Sequence, residues 1–105
     1  MNRETTNKGA GHRRRLRDRF LQGGLSGFQD YEVLELLLAL NTPRKDTKQA
    51  AKDLLAEFKT LPRVLEADTQ ALCRVNGVGP ANSFGIHLIK AVADRYLETR
   101  ILKMD

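Results

Sequence analysis

The apolar positions of this chain recur at helical spacing along most of its length. The first such stretch covers residues 11–22, where three apolar residues alternate with five arginines before a glycine pair. These apolar residues are Leu16, Phe20 and Leu21. The spacing predicts a basic amphipathic helix. Residues 1–10 are small and polar without an apolar period, so we expect a flexible leader there and assign it no structure.

Two further helices are predicted next, with different patterns. Residues 33–40 are apolar almost all round, which is typical of a helix buried on most of its surface, and Asp30 is placed to cap it. Pro43 ends this helix, and Asp46 or Thr47 then caps a third one. The third helix carries one apolar stripe, formed by Ala50, Ala51, Leu54, Leu55 and Phe58. We expect the second helix at the centre of the core and the third to pack by one face.

The remaining sequence predicts three more helical segments. Residues 61–66 form a short turn behind Thr60, and Asp68 or Thr69 caps another short helix. Pro80 suits a first helical position, and the helix that it opens extends to about Leu102. No strand pattern occurs. The chain is therefore predicted to be all-α, a compact bundle of five or six helices.

Composition and charge restrict the class of protein. The chain has 105 residues, 41% apolar and 30% charged, as in a globular domain. Its single Cys73 excludes an internal disulfide framework, and no apolar run is long enough for a membrane span. We therefore expect a cytoplasmic protein without membrane contact. The net charge of +5 arises in the first 20 residues, which carry seven Lys/Arg and two Asp/Glu, whereas the other 85 carry eleven of each.

The most specific local feature is a Gly-apolar-Gly turn before the last helix. Gly77 and Gly79 permit positive φ and close backbone approach, and Val78 between them is expected to turn inward. The first N–H groups of the following helix lack internal partners and, with the helix dipole, favour an anion. We expect the backbone amides here to hold a phosphate. The predicted binding residues are Gly77, Val78, Gly79, Ala81, Asn82 and Ser83.

This turn resembles the helix-hairpin-helix motif of proteins that bind DNA without reading its sequence. Four motifs occur in order over residues 11–100: Gly11-His12-Arg13-x-Arg15-Leu16, Asp30-Tyr31-Glu32-x-Leu34-Glu35-Leu36-Leu37-Leu38, Pro43-Arg44-x-Asp46 and Val75-x-Gly77-Val78-Gly79-Pro80-Ala81. With these motifs the chain resembles the N-terminal domain of the RadC family of bacterial DNA-repair-associated proteins. The resemblance implies a SAM-like or tandem helix-hairpin-helix arrangement and DNA as the partner.

In the RadC family this helical domain precedes a metalloprotease-like JAB/MPN domain, whose zinc site needs a His-x-His pair followed by an Asp. Here His12 and His87 stand 75 positions apart. We therefore expect residues 11–105 to be the N-terminal domain alone, as a fragment or a stand-alone version, with an interdomain linker beginning near residues 100–105. We expect no catalytic set, metal or cofactor in this chain. A JAB/MPN domain or another protein is a further candidate partner.

The function of the hairpin is open to two interpretations. Many DNA-binding hairpins carry a Lys or Arg shortly after the second glycine, where this chain has Pro80, Ala81 and Asn82, so we expect weak binding from the hairpin alone. Ser83 replaces the usual small alanine and is a candidate to direct its hydroxyl at a phosphate. The alternative is that the hairpin serves only folding, as a helix connection in a protein-interaction or regulatory domain.

Basic residues elsewhere are secondary candidates for DNA contact. The run of Arg13, Arg14 and Arg15 is either a solvated surface or an electrostatic footprint for a polyanion. The turn after the second helix is either plainly solvated or a degenerate first hairpin that reaches the opposite strand. Its basic residues are Arg44, Lys45 and Lys48. Whether the basic helix lies beside Gly77 is the geometric question on which the DNA-binding interpretation depends.

Other polar residues have simpler interpretations. His87 is expected to be partly buried and hydrogen-bonded, and Cys73 to be a small core residue. Glu32 and Glu35 share a helix face, but the sequence identifies no histidine or second carboxylate pair around them.

Overall fold

The computed structural model describes residues 3–42 and 46–103, which form six α-helices and no strand. They are α1 (Arg3–Gly23), α2 (Asp30–Ala39), α3 (Lys48–Phe58), α4 (Leu61–Glu66), α5 (Thr69–Cys73) and α6 (Pro80–Lys103). The all-α prediction is confirmed over these residues. None of the helices in the described ranges is long and apolar enough to span a membrane.

Helix α1 begins earlier than the apolar pattern indicates. Its first residue is Arg3, within the segment to which the sequence assigns no structure. No proline interrupts residues 3–11, and once Leu16 is packed against α2, extension of an existing helix costs far less than its nucleation. The assignment of residues 1–10 as unstructured is therefore wrong for the backbone of residues 3–10.

The short helices begin at the predicted caps. The Thr60 hydroxyl accepts the backbone N–H of Arg63 at 3.3 Å, and α4 follows. The Asp68 carboxylate accepts the N–H of Ala71 at 2.8 Å, and α5 follows. Each cap satisfies an N–H that has no partner inside its helix. Thr60 and Asp68 thus set the boundaries of α4 and α5.

The cap of α2 differs from the predicted one, whereas both residues predicted to cap α3 lie at its start. The N-cap of α2 is Gln29 and not Asp30, and the Glu32 carboxylate accepts the Gln29 amide at 3.0 Å. At the start of α3, Asp46 accepts the Lys48 amide at 2.9 Å. The Thr47 hydroxyl instead donates to the Glu35 carbonyl at 3.0 Å and so links the start of α3 to α2.

The core is aliphatic and centred on α2 and α3, as the sequence predicts. It is formed by Leu34, Leu37, Leu38, Ala50, Ala51, Leu54, Val64, Leu72, Val75, Val78 and Ile86. Two apolar segments that the pattern would place in the core are exposed instead. Leu40 is 73% exposed, and every residue of α6 from Ala91 to Leu102 is exposed. Only the first part of α6 therefore packs on the bundle.

Two interpretations of single residues are also tested by the fold. His87 is half-buried, and its Nε2 lies 2.7 Å from the carbonyl oxygen of Ala67, which confirms a hydrogen-bonded structural histidine. Cys73 is half-buried at the edge of the core rather than within it.

Candidate nucleic-acid interface

The hairpin turn, residues 74–79, joins α5 to α6. Gly77 has a φ of +88°, and a Cβ there would lie 3.3 Å from the Cβ of Ala50 on α3. Backbone conformation and close approach therefore both require glycine at position 77. Val78 is 6% exposed and packs in the core. The predicted positive φ and close approach at Gly77 and the inward position of Val78 are confirmed.

Gly79 has no comparable structural role. Its φ is not positive, and no atom outside its own neighbours lies within 4 Å of the place that a Cβ would take. The fold would accept a side chain here. The missing side chain leaves open the space in front of the N-terminus of α6.

The start of α6 offers fewer free amides than the sequence predicts. The Gly79 amide donates to Oδ1 of Asn82 at 3.1 Å, and Pro80 has no N–H. The Ser83 amide donates to the Gly79 carbonyl at 3.0 Å. The amides of Gly77, Ala81 and Asn82 have no acceptor among the described residues. Three backbone donors therefore remain for a ligand.

The side chains of Asn82 and Ser83 face inward. Ser83 is fully buried, and its hydroxyl donates to the hydroxyl of Thr69 at 3.2 Å. The prediction that this hydroxyl is directed at a phosphate is therefore wrong, because the side chain is removed from solvent and bonded to Thr69 of α5. Asn82 is 5% exposed and donates from Nδ2 to the hydroxyl of Thr42 at 3.4 Å. Both side chains fix the position of the hairpin turn, which leaves its backbone as the surface for a ligand.

The connection between α2 and α3 lies directly beside the hairpin turn. Asn41 donates from Nδ2 to the carbonyl of Ala81 at 3.1 Å, and Thr42 accepts from Asn82 as described above. Of the predicted basic residues in this connection, Arg44 and Lys45 lie outside the described residues. Lys48 is the first residue of α3 and is half-buried. Asn41 and Thr42 thus lie directly against the hairpin turn.

The basic helix lies elsewhere. Helix α1 packs mainly on α2, and Arg13 and Arg17 line a groove whose far side is Ile89 of α6. Ile89 is nine residues beyond Pro80, which is about 14 Å along the α6 axis at 1.5 Å per residue. Arg14 and Arg15 are exposed. The structure therefore brings the α2–α3 connection, and not the basic helix, to the hairpin turn.

Two contacts between a basic and an acidic side chain attach α1 to α2, and neither was predicted from the sequence. Nη1 of Arg19 lies 2.8 Å from Oε2 of Glu32, and this contact lowers the pKa of Glu32 below its usual value, with help from the Gln29 amide. Nε2 of His12 lies 2.7 Å from Oε2 of Glu35. Burial raises the pKa of Glu35, and His12 partly opposes that rise. The expectation that Glu35 has no histidine near it is therefore wrong.

Comparison with known proteins shows the family. Residues 8–84 match the family model described as UPF0758 N-terminal. The chain belongs to the UPF0758 family. This match is to the N-terminal region of the RadC family, so the predicted family is confirmed at that level. The matched UPF0758 region includes the hairpin turn and ends at Phe84, in the second turn of α6.

Individual UPF0758 proteins resemble this chain over most of its length. One from Fusobacterium nucleatum is 49% identical over 69 residues, which cover 66% of this chain and 30% of that protein. One from Ruegeria pomeroyi is 41% identical over 92 residues, covering 88% of this chain and 41% of that protein. One from Rhodobacter capsulatus is 41% identical over 88 residues. The chain spans less than half the length of these relatives, and no solved structure matches it.

Proposed function

We propose that this UPF0758 chain binds DNA through its phosphates, without reading base sequence, and that the hairpin turn is the point of contact. The observation that carries the proposal is Gly79. The fold does not require glycine at this position, and the amides of Ala81 and Asn82 that follow it have no acceptor among the described residues. A phosphate there would also lie at the positive end of the dipole of α6.

The α2–α3 connection supports the same proposal. Thr42 and Asn41 hold it against the hairpin turn, and the sequence continues with Arg44 and Lys45. Cationic side chains add phosphate contacts to those that backbone amides make, which strengthens binding to a DNA backbone. Because no basic residue follows Gly79 within three positions, we expect the hairpin turn to contribute orientation more than affinity.

The proposal is tested by titrating labelled duplex, single-stranded and branched DNA with the protein at several salt concentrations. We expect binding at low salt and a linear fall of log K with log salt, since each neutralised phosphate of a duplex contributes a slope of about −0.9. Binding without catalysis predicts that the DNA is recovered uncut and without abasic sites. No binding at low salt would refute a DNA-binding function.

Two variants of Gly79 locate the contact. Gly79→Asp places a carboxylate at the N-cap of α6, where aspartate is favourable, so the fold should be retained. DNA affinity should fall about fivefold or more, because a like charge a few ångströms from a phosphate costs at least about 1 kcal/mol. Gly79→Asn has nearly the same shape and capping ability without the charge. Because its side chain also competes for the amides of Ala81 and Asn82, it should lower the affinity, but by less than Gly79→Asp. Equal affinity of the two folded variants would place the contact elsewhere.

A second candidate function is a protein-interaction or regulatory module. It is favoured by the apolar groove that α1, α2 and Ile89 enclose. In that case the hairpin turn serves the fold only, and a JAB/MPN domain or another protein is the partner. The two candidates are separated by the salt titration, because a purely protein-binding domain has no reason to show a slope of several units with DNA.

A further inference from the structure

Helix α6 contains a glycine at a position where the helix itself does not call for one. Gly85 lies in the second turn of α6, is half-buried and has no positive φ. Inside an α-helix, glycine is the least favourable residue after proline, because it loses the most backbone freedom on folding. The reason for a glycine here therefore lies in the surroundings of α6 and not in its backbone conformation.

The space that a Cβ would take at Gly85 is occupied by Asn41 of the α2–α3 connection. A Cβ at position 85 would lie 2.5 Å from Nδ2 of Asn41, closer than nonbonded heavy atoms approach. The same Nδ2 donates to the carbonyl of Ala81 at 3.1 Å. In an α-helix this carbonyl also accepts the N–H four residues farther along, which belongs to Gly85. The Asn41 amide therefore reaches the α6 backbone across Gly85, where a side chain would block it.

The bond from Asn41 holds a peptide group that belongs to the proposed phosphate site. The carbonyl of Ala81 and the N–H of Asn82 are opposite ends of one planar peptide group. This N–H is one of the three backbone donors that have no acceptor among the described residues. A hydrogen bond to the carbonyl polarises the peptide group and so strengthens its N–H as a donor. Asn41 thus acts on this N–H from the side opposite to the one that a ligand would occupy.

The side chain of Asn82 fixes the same turn from a second direction. Its Oδ1 accepts the Gly79 amide at 3.1 Å, and its Nδ2 donates to the hydroxyl of Thr42 at 3.4 Å. The adjacent residues Asn41 and Thr42 therefore bond to the adjacent residues Ala81 and Asn82. Two neighbouring attachments hold the first turn of α6 in one orientation against the end of α2.

We infer that Gly85 and Asn41 are positioning residues for the phosphate site: Gly85 admits the Asn41 amide, which orients the N–H of Asn82 toward the phosphate. The inference rests on the proposed DNA-binding function, although the contact between Asn41 and α6 exists without DNA. Neither residue touches the phosphate, and neither carries a charge. They affect how tightly the phosphate is held and not how many phosphates are neutralised.

Gly85→Ala tests the inference, because stability and DNA affinity should respond differently. The new Cβ displaces the end of a flexible side chain and not backbone, and alanine favours the helix, so the melting temperature should not fall. DNA affinity should fall about threefold or more, the effect of one hydrogen bond of ordinary strength. The slope of log K against log salt should stay the same, because no charge changes. A residue with a merely structural role would lower the melting temperature together with the affinity.

Asn41→Ala removes the same bond without a change in α6, and should lower DNA affinity by the same factor as Gly85→Ala. The double variant should bind no more weakly than either single variant, since both remove one interaction. In the Asn41→Ala background, Gly85→Ala should raise the melting temperature by a few degrees, because the alanine then displaces nothing.

Gly11→Ala is the matched control for Gly85→Ala. Gly11 also lies inside a helix, and a Cβ there would make only an ordinary contact, 3.7 Å from Nη1 of Arg15. This variant should gain stability from the alanine and leave DNA affinity unchanged.

Titration of labelled duplex DNA at low salt and thermal unfolding without DNA, applied to every variant, separate the outcomes. If the unaltered chain binds DNA and Gly85→Ala binds it equally tightly, the positioning inference is wrong and the DNA-binding proposal stands. Additive losses from Asn41→Ala and Gly85→Ala, or a melting temperature that falls by many degrees in Gly85→Ala, would also overturn the inference. If the unaltered chain binds no DNA, the DNA-binding proposal itself fails, and the positioning inference fails with it.

Discussion

His12 on α1 contacts a carboxylate that is almost completely removed from solvent. Its Nε2 lies 2.7 Å from Oε2 of Glu35, a residue that is 1% exposed. The second carboxylate oxygen, Oε1, has no hydrogen-bond partner among the described residues. Helix α1 is therefore attached to α2 at a point where the loss of His12 leaves a buried carboxyl group without a side-chain partner.

We expect His12→Ala to destabilise the protein by about 1–3 kcal/mol near neutral pH, because it leaves a buried acceptor unpaired. The destabilisation caused by His12→Ala should be smaller in acid. The folded-state pKa of Glu35 is raised, so the stability that its protonation contributes is fully present below the unfolded pKa and is lost as pH rises through the folded pKa. Urea unfolding at a series of pH values measures this dependence.

Glu35→Gln is the control for His12→Ala, since it removes the titrating group and keeps the side-chain shape. In the Glu35→Gln background, the cost of His12→Ala should not change with pH in the acid range. A cost of His12→Ala that is the same at every pH in the unaltered chain would show that Glu35 does not carry the effect.

Glu32 has two structural roles that two substitutions separate. Its carboxylate pairs with Arg19 and also accepts the Gln29 amide at the start of α2. Glu32→Gln keeps an acceptor for the amide and loses only the ion pair, so it should cost less than Glu32→Ala. The difference should be about 1 kcal/mol, the usual value of a helix cap, in denaturant unfolding. Equal costs would mean that the cap contributes nothing.

The contribution of Glu32 to stability changes with pH in the opposite direction to that of Glu35. The pKa of Glu32 is lowered in the fold, so its contribution is present above the unfolded pKa and is lost as pH falls through the folded pKa. The advantage of the unaltered chain over Glu32→Gln should therefore decrease in acid. An advantage that grows in acid would contradict the pairing with Arg19.

The order of the helices could be predicted from the sequence because its signals are local. Apolar spacing and caps such as Thr60 and Asp68 act within a few residues, and the structure uses them as expected. The α1–α2 contacts were not predicted, although a signal existed. His12 and Arg19 lie seven residues apart on one face of α1, and Glu32 and Glu35 lie on one face of α2. Spacing shows which residues share a face but not which faces meet.

Only part of the hairpin turn could be predicted, because local signals do not show which distant residues meet. The positions of Gly77 and Val78 could be predicted from backbone conformation and local polarity. The inward positions of Asn82 and Ser83 could not, because they depend on Thr42 and Thr69, which are distant in sequence. The exposed end of α6 was not predicted either. An apolar pattern alone does not show that a helix is longer than the bundle on which it packs.

The two glycines of the hairpin turn should differ in their effect on stability. Gly77→Ala should cost about 1–3 kcal/mol, because φ is +88° and the new Cβ would press on Ala50. Gly79→Ala should change stability by no more than about 0.5 kcal/mol, as at other unconstrained surface positions. Thermal unfolding followed by circular dichroism compares the two. If Gly79→Ala were as costly as Gly77→Ala, Gly79 would be structural and would no longer support a phosphate site.

Ala81 is the position at which a cation could be restored to the proposed DNA contact. It is exposed, and its bond to Asn41 uses its backbone carbonyl, so Ala81→Lys should leave the fold unchanged. A lysine there adds one phosphate contact, which should raise DNA affinity several-fold at low salt and steepen the log K against log salt slope by about 0.9.

Thr99→Lys is the matched control for Ala81→Lys, because it adds the same charge to α6 about 27 Å farther along the helix axis. It should leave the salt slope nearly unchanged, since a charge beyond the Debye length of about 10 Å is largely screened from the hairpin turn. Equal gains from the two variants would mean that added charge acts through the whole molecule. The hairpin turn would then not be the surface that binds the phosphates, whatever the affinity of the chain for DNA.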